Sequence, residues 1–280
     1  MWTRWEYWKT LTCSTTCTLI GNPTYIWYKN GQHLDESTYK VKYSVSSNYE
    51  DGYSCAVKGH EDLRSPAVCV QGQDCNRVTY TKRRICVLKG SSVDISCTYG
   101  SGYDTVTSSL WFSPKQSARW SGKLIPEDIT TDPGYAGRVE YGGEKERGHS
   151  TLRITDLREE DSAEYKFIFN THTSRWGYSF TGTTLTVTDV VLEMDPTSVS
   201  ERENVTLTCR TKCTLDPITA YSWYKNGQPI PNSNTYSPVY SLFPASSEDA
   251  GRYSCAVEGH EDLPSPEDTL TVRLTDISST

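Results

Sequence analysis

Three blocks of this chain are written twice. TLTCSTTCTL at 10–19 returns as TLTCRTKCTL at 206–215, WYKNGQ at 27–32 returns at 223–228, and YSCAVKGHEDL at 53–63 returns as YSCAVEGHEDL at 253–263. Repetition at this distance means two copies of one structural unit with a different unit between them. Each copy spells Cys, Trp, Tyr-x-Cys: Cys13, Trp27 and Cys55 in one, Cys209, Trp223 and Cys255 in the other. Few folds satisfy that pattern twice.

The pattern matches an immunoglobulin-type sandwich. There the two Cys come from facing sheets, the Trp packs over their bridge, and the Tyr closes a corner by bonding back to the backbone. The sequence therefore predicts bridges Cys13–Cys55 and Cys209–Cys255, with Trp27 and Trp223 as core residues. Asn-Gly at 30–31 and 226–227 is the turn expected between two of the strands. Cys-to-Cys separations of 42 and 46 suit the shorter, constant-like sandwich. The middle unit has Cys97 and Trp111, but Tyr165 of DSAEYKF is followed by Phe167 where the second Cys would stand. Its longer spacing leaves room for two more strands, the mark of a variable-type domain. Arg138 and Asp161 occupy the positions of a structural ion pair in such domains, and Trp111 the core Trp. The expected architecture is all-β: a constant-like sandwich at 1–70, a variable-type one at 74–188 and a constant-like one at 189–274.

Charge and cysteine content restrict the function. A net charge of −7 argues against nucleic acid and anionic membrane surfaces, which select basic patches. Ten cysteines without a CxxC motif indicate disulfides formed in the secretory pathway, and no metal or cofactor is expected. The first ten residues contain no apolar signal-peptide core, and no apolar run reaches membrane-spanning length. The expectation is an internal piece of a larger ectodomain, on the extracellular side of the plasma membrane in the full-length protein. No catalytic motif is present: His60 and His260 are copies of one another in GHEDL, and the acidic run at 159–161 sits at a sandwich corner. The chain is not expected to be an enzyme. Asn204-Val-Thr206 is a glycosylation sequon.

A variable-type domain with Phe167 after the corner Tyr165, closed by SRWGYSFTGTTLTVT, resembles the sialic-acid-binding immunoglobulin-like lectins, in the sialoadhesin and B-cell-receptor form as expanded in fish. The resemblance covers roughly 74–274. It implies a cell-surface recognition or adhesion receptor of immune cells that binds a glycan or a protein ligand. In that family an Arg on one strand grips the sugar carboxylate, a neighbouring-strand aromatic covers the N-acetyl group, and a first-strand Trp meets the glycerol tail. Carried over, the aromatic is Trp176, the Arg position holds Ile168, and the first-strand Trp position holds Asn76. Lys166 and Arg175 are the candidate substitute cations. If Phe167 points inward, Lys166, Ile168 and Asn170 share the outer side.

The alternative reading is a protein-binding or spacing segment that has lost the sugar site, with Ile168, Trp176 and Tyr178 as an exposed apolar patch. The resemblance also implies a bridge between Cys86 and Cys213. It places a second cysteine at Ser150, which leaves Cys97 either as a buried thiol or paired with Cys75 or Cys86. By the repeat Cys17 corresponds to Cys213, with its partner in a domain outside this chain. The pairing of Cys17, Cys69, Cys75 and Cys97 stays open.

Overall fold

The computed structural model describes residues 8–34, 42–46, 51–70, 75–102, 104–116, 118–120, 123–173, 175–178 and 180–274. The described residues are all-β, with short 3-10 turns between strands, and no helix among them is long and apolar enough to cross a membrane. Two compact units emerge. One contains residues 1–84, 92–155 and 162–185; the other contains 85–91, 156–161 and 186–280.

The first unit holds two sandwiches. In the first, Trp8–Thr12 pairs with Lys42–Ser46, facing a four-stranded sheet ordered Gln32–His33, Tyr25–Lys29, Gly52–Val57, Val68–Cys69. Trp27 is 2% exposed and packs with Tyr25, Cys13 and Cys55, and the two sulfurs are bridged at 1.95 Å. The turn at Asn30-Gly31 has both residues at positive φ, 51° and 79°, as a two-residue hairpin with strand-compatible twist requires.

The middle sandwich has a four-stranded sheet ordered Val139–Gly142, His149–Ile154, Val93–Gly100, Arg77–Tyr80. Val93–Gly100 shows a half-buried pattern: Val93, Ile95, Cys97 and Tyr99 point in, while Asp94 and Thr98 face solvent. In the opposing sheet Ala163–Thr171 pairs with Val106–Phe112, Arg175–Trp176 and Thr183–Thr188. Trp111 and Phe167 are fully buried with ring centroids 5.3 Å apart. The Trp111 indole N–H donates to Ser150 Oγ at 2.9 Å, and Tyr165 meets Tyr135 hydroxyl to hydroxyl at 2.8 Å.

The second unit is a sandwich of two sheets. Val191–Asp195, Val205–Arg210 and Val239–Leu242 form one; Ser198–Ser200, Asp268–Arg273, Gly251–Val257, Tyr221–Lys225 and Gln228–Pro229 form the other. Its centre is Trp223 over the Cys209–Cys255 bridge, both fully interior. Tyr253 donates its hydroxyl proton to the Asp249 carbonyl at 2.7 Å, the corner bond. Cys86, in the 85–91 stretch of this unit, is bridged to Cys213 at 2.03 Å.

Three further cysteine findings complete the framework. Cys69 bonds Cys75 across a six-residue separation. Cys97 is a free thiol, 2% exposed, standing opposite Ser150 on the neighbouring strand, and burial pushes its pKa up. Cys17 is free and exposed. Thiolate is the reactive form, so native alkylation with iodoacetamide should modify Cys17 and spare Cys97, read by peptide mass spectrometry. Equal modification of both would contradict the packing around Cys97.

Candidate interaction face of the middle sandwich

The outer side of the Val106–Phe112 and Ala163–Thr171 strands follows from register. Trp111 stands opposite Phe167 in the core, so the flanking pairs Phe112 with Lys166 and Leu110 with Ile168 face outward. Outward does not mean exposed here. Ile168 and Phe112 are both 0% exposed, and Tyr178 stacks on Phe112 with centroids 5.7 Å apart and planes at 7°. The exposed patch expected at Ile168 is closed at that residue, while neighbouring Tyr178 keeps 37% of its surface exposed.

Within the same unit the first sandwich lies near the 175–178 and 180–182 segments. Ile26, Tyr28 and Ala56 lie on the side of its sheet opposite Trp27 and Cys55, and they form a buried cluster of their own at 7%, 3% and 3% exposure. Arg64 lies over the Tyr28 ring at 3.7 Å and donates to the Gly31 carbonyl at 3.0 Å. A small cavity is lined by Gly31, Ser54 and Arg64 from the first sandwich and by Tyr80, Phe180 and Gly182 from the middle one. At its rim Asp62 pairs with Arg84.

The candidate sugar contacts occupy mixed environments. Asn76 is 5% exposed and accepts a long bond from the Gly102 N–H at 3.4 Å. Arg175 is exposed, stands opposite Asn170, and donates from Nε to its Oδ1 at 2.9 Å. Trp176 stands opposite Phe169, a core position, and is half-buried. Gly177, at φ 109°, lets the chain pass close to the middle strand: a Cβ there would lie 2.3 Å from the Phe167 carbonyl oxygen. A groove of about 450 Å3 runs beside this segment, lined by Lys29, Asn30, His33, Arg175, Trp176 and Tyr178.

Lys166 is committed to its neighbours. Its side chain is 15% exposed, its ammonium donates to the Tyr178 carbonyl at 3.0 Å and lies 4.0 Å from Glu164. Burial lowers its pKa, Glu164 raises it, and nearby Arg64 lowers it again. The folded state therefore gives up this proton more readily than the unfolded chain. The penalty for holding the charge applies below the folded pKa, and stability rises with pH from there to the unfolded value of about 10.4. Lys166→Met should remove that slope and leave stability at pH 7 unchanged or raised by about 1 kcal/mol. Urea titrations between pH 7 and 10 test this; a clear loss at pH 7 would mean the ammonium is a net stabiliser.

The remaining candidates are structural or peripheral. Arg138 is 8% exposed, with its guanidinium donating to the carbonyls of Gly134 and Thr155. Asp161 is 2% exposed and accepts from the Arg158 N–H. Asn204 is exposed just before the Val205–Arg210 strand. Among the described residues no group of His, Cys, Asp and Glu is arranged to hold a metal. Sequence reasoning missed that Phe112, like Ile168, is buried on the outward side of its strand, and that Tyr28 is buried in the first sandwich. The available signal was apolar residues in unbroken runs.

The family comparisons agree with this architecture. The profile described as "B-cell receptor CD22-like, first Ig-like" matches residues 87–190, and the immunoglobulin domain profile matches 189–274. The chain is a tandem immunoglobulin-domain protein. It is similar to the muscle M-line assembly protein unc-89 of Caenorhabditis elegans, 27% identical over 183 residues, which is 59% of this chain and 2% of that protein. It is also similar to HEPACAM family member 2 of Homo sapiens, 38% identical over 78 residues, 25% of this chain and 16% of that protein. The chain spans far less than two thirds of either relative. Its disulfide-bonded immunoglobulin domains are of the extracellular adhesion and receptor type, whose domains bind ligands, and nothing in these findings points to catalysis.

Proposed function

We propose that this chain is a protein-recognition and spacing segment of a cell-surface receptor whose middle sandwich no longer works as a sialic-acid lectin. The observation that carries this reading is Ile168. It occupies the position where the resemblance calls for a carboxylate-gripping Arg, and it is 0% exposed. A carboxylate needs a charged or bidentate donor that it can reach. Lys166 points into a web of Tyr178, Glu164 and Arg64, and Asn76 is buried at the first-strand position. The partner class is then a cell-surface protein.

The groove beside Trp176 favours a second reading. It brings Arg175 and Lys29 close to an indole and a phenol ring, groups suited to an acidic sugar. Lys29 is already paired with Asp51 at 3.0 Å, which leaves Arg175 as the principal cation. The full chain, presented multivalently, should bind cells equally before and after sialidase treatment. Binding that falls with sialidase, and again in Arg175→Ala, would favour the lectin reading and overturn the first.

A further inference from the structure

We propose that the loops of the first sandwich bearing Cys17, Leu19 and Leu63 are a covalent docking site for a further variable-type sandwich of the same polypeptide, one whose edge strand carries Cys-x-x-x-Gly. The repeat supplies the template. Cys17, Leu19 and Ile20 correspond to Cys213, Leu215 and Asp216 in the second copy, and Leu63 corresponds to Leu263. There these positions are engaged by the 85–91 stretch of the same compact unit. Cys86 is bonded to Cys213, and the Cys86 carbonyl accepts from the Asp216 N–H at 2.9 Å. Leu215 is buried in one core with Cys86 and Leu88. Gly90 lets Leu263 come close: a Cβ on Gly90 would stand 3.2 Å from the leucine Cδ2.

The first copy keeps this chemistry and shows it to solvent. Cys17 is a free, exposed thiol. Leu63 is 47% exposed and Ile20 is fully exposed, while Leu19 is half-buried where Leu215 is interior. A strand with the spacing of Cys86 and Gly90 would cover them as it covers their counterparts, burying apolar surface and closing a bridge. Two exchanges adjust the specificity. Thr16 stands in place of Lys212, which pairs with Glu159, and Ile20 in place of Asp216. The first site therefore selects an apolar group where the second takes a carboxylate. Bridge formation oxidises two thiols, which give up two electrons and two protons; a disulfide oxidant of the secretory pathway accepts them and becomes two thiols. In the template the bonded strand precedes its constant-like sandwich along the chain, which places the partner on the N-terminal side of Cys17.

The docking site rests on the repeat and not on the ligand of the middle sandwich, so its failure and that of the protein-recognition reading are separable. The test uses the full-length polypeptide displayed on cells, blocked with N-ethylmaleimide and digested without reduction. Cys17 should be recovered disulfide-linked to a peptide of the same polypeptide that contains Cys-x-x-x-Gly, as Cys213 is to Cys86. Leu63→Asp, in protein that still melts cooperatively, should lower the dithiothreitol concentration that opens the Cys17 bridge by about tenfold, and leave that for Cys86–Cys213 unchanged. Maleimide on Cys17, linkage of Cys17 to a separate polypeptide, or a bridge indifferent to Leu63→Asp would each overturn the docking site.

Discussion

Ile168→Arg is expected to lower the stability of the first unit by about 3 kcal/mol or more without creating a sialic-acid site. The resemblance to the lectins makes Arg the natural residue to restore here, and on an open face it would recover carboxylate binding. On the face observed, the new guanidinium enters a position with no solvent exposure. Its neighbourhood already holds the ammonium of Lys166, whose pKa is lowered by burial and by Arg64. An uncompensated charge in such a place costs about 3–5 kcal/mol, and two nearby cations add to it. Urea denaturation gives the stability, and a sialoside array gives the binding. A variant of native stability that binds sialosides would contradict the buried position of Ile168 and the loss of lectin function together.

Replacing Cys209 and Cys255 by alanine should cost about 4 kcal/mol. The bridge closes a loop of 46 residues, and the chain-entropy account of such a loop gives that figure at 25 °C. It is also the surface against which Trp223 packs, in a core with Leu207, Tyr253 and Val257, so a cavity adds to the entropic loss. A typical domain has only about 5–15 kcal/mol in total. The second unit of the variant should therefore melt well below the first. The middle sandwich supports the comparison: it places Phe167 against Trp111 and keeps Cys97 as a thiol. Its core is aromatic where the others have a cystine. A melting curve with both units unchanged would show that the bridge is dispensable to the third sandwich.

The sandwiches themselves were legible in the residues. Cys, Trp and Tyr-x-Cys at fixed spacing, written twice, specify one fold because each member has a distinct packing role. The Val93–Gly100 strand shows why alternation is a usable signal: one of its sides faces the core and the other faces water. The same assumption misplaced Ile168. Leu110-Trp111-Phe112, Phe167-Ile168-Phe169 and Tyr25-Ile26-Trp27-Tyr28 are unbroken apolar runs, and such runs mark strands buried on both sides. Reading them through the lectin pattern assigned one side to solvent. The Cys69–Cys75 bond was not legible, because four cysteines without assigned partners admit several pairings and only the fold selects among them. The orientation of Trp176 depends on the register opposite Phe169 and on the turn at Gly177, neither of which is written in the motif.

Hydroxyl-radical footprinting of the native full chain tests the central claim most directly. Phe112 and Ile168 should be modified as slowly as the core residues Trp111 and Phe167, while Phe243, 74% exposed, is modified rapidly. Fast modification of Phe112 and Ile168 in the folded chain would show an open face and contradict the account.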